Sequence, residues 1–278
     1  MNLVPPVLVI NLATATRRWN HIQHQVALNV PDAKLIRMDA VDWRTLSLPS
    51  LPITLFTQYL LTFPQQQSSM RVSHRQLDTV SSVAILLSHV KCWEWLSNHP
   101  KEPFAMIMED DACFDAEFQV AWHQSVLPML AVSGQWDLLV LGYFSASGSE
   151  SVNVVPNTQP VVTTKTVPQF FGAHAYIITQ SGAKKLLKYV FPMDHHVDGL
   201  FLTLFEFDRL RLHMLRQSVV SQCMDGVNRE GSWHTHTVVN TTQNPIVMVQ
   251  STSSQVLIAI CVVLLLLVVG ILLWKHGI

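Results

Sequence analysis

The segment Phe104–Phe114 reads FAMIMEDDACF, an apolar run that stops abruptly at three consecutive carboxylates. Five uncharged residues without Gly or Pro describe a strand buried on both faces, the kind found inside a sheet covered by helices. Glu109, Asp110 and Asp111 would then crowd negative charge at the carboxyl edge of the sheet, where open α/β folds bind ligands. Such crowding is costly unless something positive offsets it, and a divalent cation held by oxygen ligands is one answer. Side chains alternate along a strand, so Glu109 and Asp111 are expected to point one way and Asp110 the other. The competing reading is an inert, solvated acidic turn.

Of the 278 residues only 13% are charged, low for a soluble protein, and the C-terminus explains much of it. Val256–Trp274 runs nineteen residues without a charge. At ~1.5 Å per residue it just crosses a hydrocarbon core of about 30 Å. Trp274 and Lys275 follow as an interfacial aromatic and a snorkelling cation. We read a transmembrane helix at 256–274, a short tail at 275–278, and a Thr-, Asn- and Gln-rich stalk at 240–255. Residues 1–239 are read as one folded domain ahead of that stalk. Met1–Leu12 lacks a positive n-region and is interrupted by Pro5, Pro6 and Asn11, so it reads as a first strand rather than a signal peptide. A single C-terminal span is the layout of a tail anchor and suggests a cytosolic domain, although Lys275 votes weakly the other way.

The formal net charge of −1 carries no basic surplus, which argues against a nucleic-acid partner. Four cysteines show no CxxC pair or metal spacing, which fits a reducing compartment or a core that needs no cross-link. The Asn240 sequon matters only if the domain is lumenal.

Further strands are expected at Val7–Leu12, 33–38, Trp136–Tyr143 and Gly172–Thr179. Helices are expected at Asp78–Leu96, 116–130 and from Ser181. Leu46–Ser69 has no clear period and reads as an irregular insertion or a mobile loop. Strands alternating with helices argue an α/β fold with a mainly parallel or mixed central sheet.

Five segments in order resemble glycosyltransferase family 25, the family of lipopolysaccharide and collagen galactosyltransferases. They are Val9–Leu12 with Arg17, Arg18 and Trp19; Leu86–Trp93 (LLSHVKCW); Met108–Phe114 (MEDDACF); Gly172–Ile178 with Gly182–Leu187; and Pro192–Asp198 (PMDHHVD). Ala13, Ala84 and Ala173 stand where the family's pattern usually has other residues. The resemblance implies a GT-A-like nucleotide-sugar-binding fold. It also implies inverting transfer of a sugar, most often galactose from UDP-galactose, to a glycan, lipid-linked or protein hydroxyl.

A cation held by carboxylates can neutralise the departing diphosphate. Asp111 is the first choice as ligand, with Glu109 and Asp110 beside it and Mn²⁺ or Mg²⁺ as the ion. Inversion needs a base for the acceptor hydroxyl, for which Asp194 is placed ahead of Asp198; a helix N-terminal acid is the other reading of Asp198. Asn11, Arg17, Arg18, His89 and His174 are candidates for contacting the nucleotide sugar, Arg17 or Arg18 through phosphate. For His89 the alternative is a core histidine. A second function stays open: a transferase-like domain without turnover that binds nucleotide sugars or recruits partners to a membrane.

Overall fold

The structure is a computed structural model that describes residues 4–71, 73–145, 170–215 and 217–223. All lie in one compact unit, Met1–Glu230. The expected stalk, membrane span and tail and the Asn240 sequon lie outside the described residues. Among the described residues no helix is long and apolar enough to cross a membrane.

The chain opens with β1 (Val7–Asn11), α1 (Thr16–Asn29) and β2 (Leu35–Asp39), then two short helices, α2 (Leu55–Thr62) and α3 (Gln67–Met70). The long α4 (Val80–Ser97) leads into β3 (Phe104–Glu109) and β4 (Ala112–Phe114). Next come α5 (Phe118–Ala121) and α6 (Leu127–Ala131), joined through a wide helical turn at Trp122–Val126. After β5 (Leu138–Ser145) and β6 (Phe170–Thr179) follow α7 (Gln180–Tyr189), α8 (Val197–Glu206), β7 (Leu212–Met214) and β8 (Val220–Gln222).

Six strands form one mixed sheet in the order β2-β1-β3-β6-β5-β7, and β4 pairs with β8 in a separate antiparallel ribbon. The pairs β1–β2, β1–β3 and β5–β7 are parallel, whereas β6 runs antiparallel to both β3 and β5. Strand alternation divides the core into two layers. Leu8, Ile10, Ala105 and Ile107 face Val83, Leu86, Val90 and Trp93 of α4, with α7 and α8 behind. Val7, Val9, Met106 and Met108 face Ile22 and Val26 of α1, together with Phe118 and Trp122. The sheet is therefore flanked by helices on both sides, which accounts for the uninterrupted apolar run before Glu109.

Caps fix where three helices begin. The side chains of Thr54, Thr79 and Thr179 accept from the backbone N–H groups of Thr57, Ser82 and Gly182. Leu46–Ser69 departs from its expected irregularity, because α2 forms there with Thr57 and Leu60 buried beneath it. The period was masked because both faces of α2 are apolar.

Cysteine usage is a second correction. Cys113 and Cys223 are disulfide-bonded with Cα atoms 5.5 Å apart, although 110 residues separate them. Ribbon pairing of β4 with β8 brings them together, since Cys113 sits opposite Ser221. The sequence expectation of no cross-link is overturned. Cys92, by contrast, is a buried free thiol.

Candidate active site

The three carboxylates occupy the end of β3 and the turn that follows, and the sheet register decides what meets them. β1 lies parallel to β3 with Ile10 opposite Glu109, which carries Asn11 alongside Asp110. Asn11 Nδ2 donates to Asp110 Oδ2 at 2.5 Å, and Arg18 Nη1 donates to Asp110 Oδ1 at 3.0 Å. Arg37, on β2, donates to Asn11 Oδ1 at 2.5 Å and to the Leu12 carbonyl at 3.1 Å. Its guanidinium also lies 5.2 Å above the Trp19 ring. Asp110 is thus held within a basic wall, turned away from its two neighbours. Burial still raises its pKa to about 6, because desolvation and Glu109 outweigh the pull of Arg18 and Asn11.

Glu109 and Asp111 lie on the other side, spanned by one amide. Gln222 Nε2 is 3.3 Å from Glu109 Oε2 and 3.4 Å from Asp111 Oδ2. Asp111 is buried and its Oδ1 has no hydrogen-bond partner. Burial, and then the charges of Glu109 and Asp110, push the Asp111 pKa well up. Burial also acts to raise Glu109, but His89, His174 and Gln222 outweigh it and hold that carboxyl low. Of the two, Asp111 is therefore the carboxyl that holds a proton more readily and Glu109 the one that gives it up. Two neighbouring carboxylates, one of them with a buried oxygen that lacks a partner, are a donor set that could hold a divalent ion.

Histidines complete the cluster. His89 lies fully buried in α4, its Nε2 3.5 Å from Glu109 Oε1. Trp93 Nε1 donates to the Tyr176 hydroxyl at 2.8 Å, and that hydroxyl is 2.9 Å from His89 Nδ1. An indole only donates, so the tyrosine proton is directed at Nδ1 and the imidazole proton is left on Nε2, facing Glu109. His174 follows Gly172 and Ala173 on β6, adjacent to the end of β3 because Met108 pairs with Ala175. Its Nε2 donates to the Val220 carbonyl at 2.7 Å, its Nδ1 is buried without a hydrogen-bond partner, and burial lowers its pKa. Gly142 makes room for this ring, since a Cβ there would sit 2.5 Å from it.

The remaining candidates are spread more widely. Arg17 is exposed on α1. Asp194 precedes α8 and pairs with His195 Nδ1, its side chain 40% exposed. Asp198 sits inside α8, so the two acids do not share one helix. Its Oδ2 accepts from Gly172 N–H at 2.8 Å and its Oδ1 from Gly199 N–H at 2.8 Å. It pins the start of β6 to the start of α8. His196 Nε2 lies 3.4 Å from Asp78 Oδ1.

Sequence reasoning missed Arg37 and Gln222. A charged residue inside a strand was a usable signal for Arg37. Nothing local distinguished Gln222, which reaches the site only through β8. A second donor group, His21 with Cys113 and Cys223, also converges. His21 Nε2 is 3.5 and 3.3 Å from the two sulfurs, but these are bonded to each other and not available as thiolates.

The model of glycosyltransferase family 25 (LPS biosynthesis protein) matches residues 4–201. The chain belongs to glycosyltransferase family 25. It is a glycosyltransferase, and the resemblance read from its five segments is borne out. The match takes in both acidic clusters and ends before β8. No curated protein matches the chain by sequence. Among solved structures it is similar to A197 from STIV, with a TM-score of 0.34 and 10% identity over 78% of this chain and 83% of that one. It is also similar to the apo form of mouse xyloside xylosyltransferase 1, with a TM-score of 0.33 and 12% identity over 75% and 72%. Likeness at that level carries no argument about activity.

Proposed function

We propose that this family 25 enzyme has a GT-A-type donor site at the carboxyl ends of β1 and β3. In this reading it transfers a hexose with inversion, galactose from UDP-galactose first, to a glycan, lipid-linked or protein hydroxyl. The single observation that carries the proposal is the buried Glu109/Asp111 pair with its orphaned Asp111 Oδ1. Asp111 and Glu109 would hold Mn²⁺ or Mg²⁺, which supplies Lewis-acid stabilisation of the leaving diphosphate. Gln222 spaces the two carboxylates, and His89 keeps Glu109 ionised. Asp110 is assigned to the wall rather than the ion, because Arg18 and Asn11 occupy both its oxygens. Arg18 and Arg37 then flank the diphosphate side with positive charge.

Asp194 is the proposed base. It is half-open to solvent and its neighbour His195 can orient it, whereas both oxygens of Asp198 are spent on backbone N–H groups. We further propose that 256–274 anchors the enzyme in a membrane. The Cys113–Cys223 disulfide favours an oxidising compartment for the catalytic unit over the cytosolic side suggested by a tail-anchor layout.

Calorimetric titration of the full chain with a panel of nucleotide sugars, with and without Mn²⁺, tests the donor site. Metal-dependent binding of one donor, lost in Asp111→Asn, is the expected result. Donor binding indifferent to both Mn²⁺ and that substitution would sink the metal role. Binding without transfer to any acceptor would favour a membrane-tethered binding protein instead.

A further inference from the structure

α2 presents an apolar face on its outside as well as its inside. Leu55 is 85% exposed, and Phe56, Tyr59 and Phe63 are between 36% and 42% exposed. At about 100° per residue these four lie in one arc about 100° wide, with the buried Thr57 on the far side and the buried Leu60 beside the edge of the arc. The outer face of a surface helix is ordinarily polar. Tyr59 and Phe63 pack against one another with their rings tilted and centroids 5.0 Å apart, instead of turning inward. The surroundings do nothing to relieve this, since no Asp, Glu, Lys, Arg or His occurs from Thr45 to Met70. A continuous uncharged surface with clustered aromatics marks a site of contact with something apolar.

Two observations favour a bilayer as the occupant of this face. Large aromatic and aliphatic side chains separated only by Thr, Gln and Ser match segments that rest at the headgroup–acyl boundary. The same chain also carries the uncharged stretch 256–274. Even fully extended, residues 224–255 reach only on the order of 110 Å. The compact unit would then remain near the membrane at high effective concentration, so a short helix without basic residues is sufficient to dock.

α2 is joined to the candidate acceptor side. Ile53 bridges to Met193, Thr54 N–H donates to the Met193 carbonyl at 3.0 Å, and Met193 N–H donates to the Pro52 carbonyl at 2.8 Å. Asp194 is the next residue. We propose that Leu55, Phe56, Tyr59 and Phe63 seat in the bilayer spanned by 256–274 and bring the Met193–Asp194 segment to the lipid surface. The acceptor hydroxyl is then carried by a membrane-embedded molecule. This rests on the membrane span and on Asp194 as the acceptor-side base.

The test uses the full chain reconstituted in phosphatidylcholine/phosphatidylglycerol vesicles. An environment-sensitive fluorophore is attached at the exposed Thr62→Cys, beside that arc next to Leu55, in a Cys261→Ser background. Blue-shifted emission and quenching by brominated phosphatidylcholine are expected there, and not for a label at Lys184→Cys on α7. Leu55→Asp with Phe56→Asp should reduce the quenching at least fivefold while leaving donor affinity unchanged. An unquenched Thr62 label on chains that resist carbonate extraction would overturn the docking, and concentration-dependent disulfide cross-linking of the unlabelled Thr62→Cys chain would overturn it in favour of a second copy on this face. Chains stripped by carbonate would overturn the tether and the docking built on it, while Mn²⁺-dependent donor binding would still report separately on the carboxylate site.

Discussion

At the scale of single residues, the carboxylates divide into two electrostatic classes. Asp78 and Asp137 are held low, to about 2, because their partners outweigh the burial that would raise them. These are His196, Arg71 and Ser82 for Asp78, and Arg211 and Lys185 for Asp137. A depressed carboxylate stabilises the fold above its unfolded value near 3.8 and loses that contribution as pH falls toward 2. Asp110 behaves oppositely. With its folded value raised to about 6, the folded state holds the proton more tightly, so stability falls as pH rises from about 4 to 6, by roughly 3 kcal/mol. Metal-free protein should therefore be most stable near pH 4–5 in urea titrations, and Asp110→Asn should flatten the upper limb. Asp111→Asn should cost at least ~10²-fold in kcat while leaving the melting temperature equal or higher, because it removes a buried acid that resists ionisation. Gln222→Ala should weaken Mn²⁺ binding by about 10–100-fold, measurable by calorimetry. The acids were legible in the sequence because three in a row after an apolar run is a local signal. Gln222 was not, because its role exists only once β8 is laid beside β4.

Among the elements, close approach of backbone decides what the sequence can tolerate. A Cβ on Gly182 would stand 2.4 Å from the Asp137 carbonyl, which is backbone and cannot swing aside. Gly182→Ala should therefore force α7 off β5 and destabilise by about 2–3 kcal/mol in chemical denaturation. At Gly142 the obstacle is a side chain and the Val220 carbonyl, so Gly142→Ala should displace His174 and lower turnover more than stability. Strands and long helices were readable where one periodicity dominated: FAMIM became β3, and the apolar spacing from Asp78 became α4. α2 was not, since a helix apolar on both faces has no periodic contrast to detect. The antiparallel insertion of β6 between β3 and β5 was equally hidden, because strand order depends on long-range pairing rather than on local pattern.

For the whole molecule, the α/β class followed from the alternation of strands and helices, and the family from five short segments in order. The covalent link did not, because two cysteines 110 residues apart carry no pairing signal of their own. Opening it with dithiothreitol should lower stability by about 2–4 kcal/mol. For a unit of this size that shifts the melting temperature by roughly 5–15 °C in calorimetry, with Cys113→Ser insensitive to the reagent. The bond also closes a ring that contains β5, β6, α7 and α8. A protease that cuts the backbone once anywhere inside this ring releases nothing. The nicked enzyme would migrate as a single species on a gel run without reductant and as two fragments when thiol is added. Glu109 and Gln222, lying on opposite sides of such a cut, would stay together, so proteolytic damage to this enzyme can remain invisible to size and to activity until the sulfurs are reduced.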